Sequence, residues 1–213
     1  MTAPRRRRNE LPRSAARRTK AERHRQLLDH AKQLLSSLGY RATTLEQIAA
    51  AAGVTEAVLH RHFASKQALF LEILEEVRTA TLHRWSIETA SLTDPLAKLH
   101  TIIEMYLETT RQLALELRIL HRALVESDEA ETREPLRSFY LSCEELLAGV
   151  IAEGQQSGVF RRSLDPRVGA WELLRAALGY SLTQPLDIPL YAEPDYLPRA
   201  VECLLNCLLK TDV

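Results

Sequence analysis

The chain has 213 residues, 46% hydrophobic, 26% charged and 6% aromatic, with only 7 glycines, a profile that suits a globular helical protein and excludes a fibrous or low-complexity one. No apolar run approaches the roughly 18 residues that span a bilayer, and three cysteines (Cys143, Cys203, Cys207) are too few for a disulfide framework. The formal net charge of zero hides a division: residues 1–66 hold 14 Lys/Arg against 5 Asp/Glu, a balance of +9, while residues 67–213 hold 14 against 23, a balance of −9.

Residues 1–19 read as a flexible basic arm, with Arg5, Arg6, Arg7 and Arg8 followed by Arg13, Arg17 and Arg18. Such an arm is either merely solvated or neutralises phosphates beside a DNA-binding motif. No apolar stretch follows the arginines as it would in a secretion signal, so the expected compartment is the cytoplasm. From Lys20 a helical period begins, with Leu27, Ala31, Leu34, Leu35 and Leu38 on one face and Gly39 where a helix C-terminus favours positive φ.

Thr44 and Gln47 fit a capping box opening a short helix whose apolar face is Leu45, Ile48, Ala49 and Ala52. Gly53 makes a turn, and Thr55 can cap a third helix reaching about Phe63. Ser65 caps a fourth, long helix ending near Glu88. Asp94-Pro95 opens a helix to about Thr110, and another covers roughly residues 112–126. Residues 127–134 look like a loop or helix start, and Pro135 fits the first turn of a helix running to about Gln156. Asp165-Pro166 opens a helix to about Leu182, the proline-rich stretch 184–194 interrupts, and a last helix spans about 195–209. The expected fold is all-α, with about nine helices and no strand.

Residues 44–63 have the physics of a helix-turn-helix: two short helices, a Gly53 turn, and Ile48, Ala49, Val54, Leu59 and Phe63 as inward anchors. Glu56, Ala57, Val58, His60, Arg61 and His62 are then left facing outward as a major-groove reader. The seven histidines form no HExxH, and neither a phosphate loop nor a nucleophile motif occurs, so neither an enzyme, a metal site nor a cofactor is expected.

Together with Gly39-Tyr40, Thr43-Thr44, Ile48-Ala49, Ala52-Gly53-Val54, Leu59-His60-Arg61-His62-Phe63, Ser65-Lys66 and Ala68-Leu69-Phe70, the segment 22–75 resembles the DNA-binding part of TetR-type repressors. The resemblance implies a three-helix DNA-binding domain over residues 20–66 and a helical effector-binding and dimerisation domain over 67–213. It implies phosphate contacts by Thr44, His62 and Lys66, with Thr55 among the DNA-facing residues. Glu56, Ala57, Val58 and Arg61 fall on base-reading positions, where Arg61 suits guanine and Glu56 suits cytosine. His60 departs from the pattern, standing where the family usually has tyrosine.

The resemblance further implies a homodimer on a palindromic DNA operator, built on the last two helices. Trp171, Leu174, Leu178, Leu197, Val201, Leu204 and Leu208 are the interface candidates. Cys203 and Cys207, four apart on one helix face, are expected as buried small hydrophobes. The middle helices would enclose a small-molecule effector. Trp85, Met105, Tyr106, His121, Phe139, Tyr140, Cys143 and Trp171 are the candidate lining residues, and as a set they favour a mostly apolar ligand. Repression relieved by that ligand is the expected function.

Overall fold

The computed structural model describes residues 19–112, 115–126 and 130–209. The basic arm with Arg5 to Arg8 lies outside them. Among the described residues there are nine α-helices and two 3-10 turns, and the sole sheet-like pairing is an isolated antiparallel bridge between Phe160 and Leu209.

Helix α1 (Lys20–Leu38) starts at a capping box between Thr19 and Glu22 and ends at Gly39, whose φ of 87° is the positive value expected there. Its buried face is Leu27, Leu28, Ala31 and Leu35, whereas Leu38 is exposed. Helices α2 (Leu45–Ala51) and α3 (Glu56–His60) follow, and Ser65 caps α4 (Lys66–Thr89) by accepting from the Ala68 amide at 3.0 Å. At 1.5 Å per residue, the 24 residues of α4 reach about 36 Å. Leu69, Phe70 and Ile73 in its first half are fully buried beside Leu27, Ile48 and Leu59.

Asp94 and Asp165 each accept from the amide of the second residue on, at 3.0 and 2.8 Å, and Pro95 and Pro166 take the first helical positions of α5 (Pro95–Arg111) and α8 (Pro166–Thr183). Between them lie α6 (Leu115–Val125) and α7 (Ala130–Gln156). Helix α7 begins five residues before Pro135, rather than at it. Proline there removes a single ladder bond, to the Glu131 carbonyl, so near the start of the helix it is tolerated. The stretch 184–194 winds into two 3-10 turns, and α9 (Tyr196–Asn206) stops three residues short of the expected end. Leu208 and Leu209 leave the helix to meet the α7–α8 connection: the Arg161 amide donates to the Leu208 carbonyl at 3.1 Å, beside the Phe160–Leu209 bridge.

Helix α2 packs on both α1 and α3, and α1 also meets α4 and α6. Helices α7 and α8 pair, with α4 and α5 against α7 and with α9 against α5. One contiguous apolar core runs through both groups. No helix among the described residues is long and apolar enough to cross a membrane.

Candidate DNA-reading face and effector cavity

The reader is built from the caps inward. The Thr44 hydroxyl accepts from the Gln47 amide at 3.1 Å, and the Gln47 side chain accepts from the Thr44 amide at 2.9 Å. The Thr44 hydroxyl accepts in this box, and its own proton is not used by it. Gly53 (φ 67°) turns the chain, and a Cβ there would meet nothing within 4 Å, so its backbone conformation alone calls for glycine. Thr55 stands at the start of α3 but makes no side-chain cap bond, so its hydroxyl is uncommitted to the helix.

Leu59 and Phe63, 0% and 2% exposed, pin α3 to the core. Glu56, Ala57, His60 and Arg61 are exposed, and Val58 is half-buried. His60 lies 3.5 Å from Glu56. His62 is turned further in than its neighbours: its ring lies 5.5 Å from that of His24 and beside Phe63, and its Nδ1 is buried without a hydrogen-bond partner. Burial, then the neighbouring His24, Lys20 and Arg23, push its pKa below the usual imidazole value, which favours the neutral ring. Lys66 folds back, donating to the Tyr40 carbonyl at 2.9 Å and lying over the Tyr40 ring at 4.3 Å, with two ammonium protons left for other acceptors.

The turn between α1 and α2 is clamped by residues distant along the chain. The Arg41 amide donates to Glu126 at 2.8 Å, and the Tyr40 hydroxyl donates to Glu131. A Cβ on Gly39 would lie 2.3 Å from Glu126 Oε1, so the glycine admits the clamp as well as the turn. Lys32 of α1 pairs with Glu76 of α4 at 2.9 Å, and His24 pairs with Glu72.

A cavity of about 640 Å³ opens between α4 and α9 and extends to Lys32 of α1. Trp85, Met105, Tyr106, Phe139, Tyr140 and Cys143 line it. His121 and Trp171, the other two sequence candidates, lie outside its wall. His121 is held behind it by Ser181 at 2.8 Å, and the Trp171 indole donates to Glu144 at 2.8 Å. Sequence reasoning missed the aliphatic wall, including Ile102, Leu120, Leu147 and Ala177, which lacks any chemical mark. It also missed Tyr180 and Tyr196, which line one part of the cavity with Tyr191 packed against both rings. Ser181, a buried hydroxyl of α8, joins Tyr106 and His121 in one polar spot.

Within the single chain most of the stripe on α8 and α9 is already taken up. Leu174, Leu178, Leu197, Val201 and Leu204 line the cavity, and Leu208 is 3% exposed. The apolar side chains left outside are Val168, Leu182, Leu186, Ile188 and Leu190. Cys203 and Cys207 are exposed rather than buried, Cys203 on the cavity wall and Cys207 just past the end of α9; only Cys143 is buried, its thiol pushed up to about 12 by burial.

Glu144 is 4% exposed and accepts from both Arg167 and Trp171. Arg167 first, then the indole, hold its carboxyl below the usual carboxylate range. A depressed native pKa contributes stability above the usual carboxylate range that disappears as pH falls through the native value. The thermal midpoints of the native protein and Glu144→Gln should therefore differ most at neutral pH and converge in acid. A gap independent of pH would count against the pairing.

A family model for bacterial regulatory proteins, tetR family, matches residues 27–73. The chain is 31% identical over 161 residues to the HTH-type transcriptional repressor KstR2 of Rhodococcus jostii (strain RHA1), covering 73% of this chain and 76% of that one. Its fold is similar to that of SmeT in a triclosan complex (TM-score 0.75, 21% identity, 88% of this chain and 92% of that one). It is also similar to AibR in complex with isovaleryl coenzyme A and operator DNA (TM-score 0.68, 22% identity, 88% and 98%). The caps, the Gly53 turn and the anchored α3 accord with these likenesses: the chain belongs to the TetR family of bacterial regulatory proteins, DNA-binding regulators of transcription.

Proposed function

We propose that the chain acts in the cytoplasm as a homodimer that holds a palindromic operator and releases it when a mostly apolar effector enters the 640 Å³ cavity. Residues 20–66 serve as the DNA-binding domain and residues 67–213 as the effector and dimer domain, with the basic arm 1–19 adding phosphate contacts. The observation that carries this reading is the clamp joining the two functions. Helix α6 contributes Glu116, Leu117 and Leu120 to the cavity wall, and Glu126 just beyond its end holds the Arg41 amide at the root of the reader. An occupant that displaces α6 or tilts α4 shifts the Gly39–Arg41 turn, and with it the separation of the two readers. Those readers must lie about 34–36 Å apart to enter successive major grooves. The effector acts only through its unequal affinity for the two arrangements.

Thr44, Thr55, His60, His62 and Lys66 contact phosphates, while Glu56, Ala57, Val58 and Arg61 meet base edges. The dimer face is assigned to the exposed apolar groups of α8 and the turns after it, Val168, Leu182, Leu186, Ile188 and Leu190, in place of the stripe that faces the cavity. Footprinting on DNA selected from a genomic library should show two symmetric half-sites about one helical turn apart. Protection of a single half-site sinks the dimeric reading. On that operator, Arg61→Ala should cost about 1–3 kcal/mol and relax the preference at one base pair. A loss equal on all sequences makes Arg61 a phosphate contact instead.

A further inference from the structure

At the Tyr106 end of the cavity the hydrogen-bonding groups are committed to one another. Tyr106 of α5 donates to Ser181 of α8 at 2.9 Å; Ser181 donates to the Leu178 carbonyl at 3.0 Å and lies 2.8 Å from His121 Nε2 of α6. A hydroxyl has one proton and two lone pairs, so the consistent assignment has His121 Nε2–H and Tyr106 both donating to Ser181. The network is closed, and the Tyr106 oxygen retains only the capacity to accept.

Tyr140 differs. Its side chain is 9% exposed and lines the cavity, and its hydroxyl makes no hydrogen bond to any described residue. The oxygen is not among the buried polar atoms sealed off without a partner, so it opens to the cavity space. The Tyr140 ring is fixed by an edge contact with Phe139 at 5.1 Å and by Trp171 at 6.5 Å, so the hydroxyl is held rather than swinging. A donor facing that space is satisfied by whatever fills it, so an occupant that displaces water there must itself supply the acceptor.

We propose that the occupant is a neutral, largely apolar molecule carrying a carbonyl or hydroxyl oxygen, which accepts a hydrogen bond from Tyr140 at the wall of the cavity. This rests on the reading of the cavity as the effector site and adds the chemical class of its ligand. The surrounding groups carry no charge at neutral pH. Burial raises Tyr106, Tyr140 and Cys143 above their usual values and lowers His121, so the phenols and thiol stay protonated and the imidazole stays neutral. A carboxylate placed there would lose its hydration without gaining a cation. Elsewhere on the wall Lys32 is paired with Glu76, and Arg84 and Glu116 add one charge of each sign. A volume of about 640 Å³ suits a molecule of two to four fused rings or an equivalent chain.

The test is calorimetric titration of the full-length protein with three probes on one skeleton, 2-acetylnaphthalene, 2-ethylnaphthalene and 2-naphthoate, repeated with Tyr140→Phe. The ketone should bind the native protein about tenfold more tightly than the hydrocarbon, one net hydrogen bond's worth, and more tightly than the carboxylate. In Tyr140→Phe the ketone and hydrocarbon should become equal, with the hydrocarbon's affinity retained as evidence of an intact cavity. As a readout that does not need the variant, the carbonyl stretch of the bound ketone should fall below its value in cyclohexane. Equal native affinities, a ketone preference that survives Tyr140→Phe, tightest binding by naphthoate, or no ketone binding at its solubility limit each overturn the proposal. Operator affinity measured beside each titration separates the two ideas. Tyr140-dependent ketone binding that leaves the operator untouched supports the ligand class and sinks the switch. Operator release by ketone and hydrocarbon alike does the reverse.

Discussion

Leu59→Ala should destabilise the reader by about 2–5 kcal/mol and abolish footprinting on the operator. Helix α3 has five residues, far below the length at which an isolated helix holds in water, and Thr55 lends it no side-chain cap. Its position therefore comes from two anchors, Leu59 at 0% and Phe63 at 2% exposure, buried beside Leu27, Ile48 and Leu69. Truncating the first leaves a void in a core shared by three helices and frees the segment that carries Glu56, Ala57 and Arg61. Urea unfolding followed by circular dichroism measures the loss. Ala57→Ser, on the exposed side of the same helix, is the control and should stay within about 0.5 kcal/mol of the native protein. A loss below about 1 kcal/mol for Leu59→Ala would mean that α3 is held by something other than its anchors.

Gly39→Ala should be the second costly change, for two separable reasons. At φ 87° and ψ 173° the residue occupies a region closed to side chains, worth about 1–3 kcal/mol of strain. The new Cβ would also lie 2.3 Å from Glu126 Oε1, so the carboxylate must leave the Arg41 amide. A double-mutant cycle with Glu126→Ala divides the two. In the Glu126→Ala background the collision is gone while the strain remains, so Gly39→Ala should cost less there than in the native chain. Simple additivity would show that Glu126 does not press on the turn. The same pair tests the coupling, because each single change should also weaken the response of operator binding to the effector.

What the sequence disclosed was whatever is encoded over three or four residues. Thr44 with Gln47, Ser65, Asp94-Pro95 and Asp165-Pro166 mark helix starts because the capping oxygen and the amide it serves are that close along the chain. Gly39 and Gly53 mark turns because positive φ is a property of one residue. The cavity was legible through its aromatic members, Trp85, Tyr106, Phe139 and Tyr140, but not through its leucines. Periodicity says which residues share a helix face and is silent on which neighbour that face meets. The α9 stripe of Leu197, Val201 and Leu204 is therefore the same in a cavity wall as in a dimer seam, and the structure turns it to the cavity. The clamp of Glu126 and Glu131 on residues 40 and 41 joins positions 85 and 91 apart, a separation no local pattern reports.

The chain's two tryptophans differ in a way that bears on how it can be watched. Trp85 is part of the cavity wall, so the polarity around its indole changes when an occupant replaces whatever fills that space. Trp171 stands outside the wall with its N–H fixed on the Glu144 carboxylate, so its polar contact is set by the protein rather than by the occupant. One indole is thus an indicator and the other an internal standard, and the protein carries a ratiometric optical gauge of its own occupancy without any added dye.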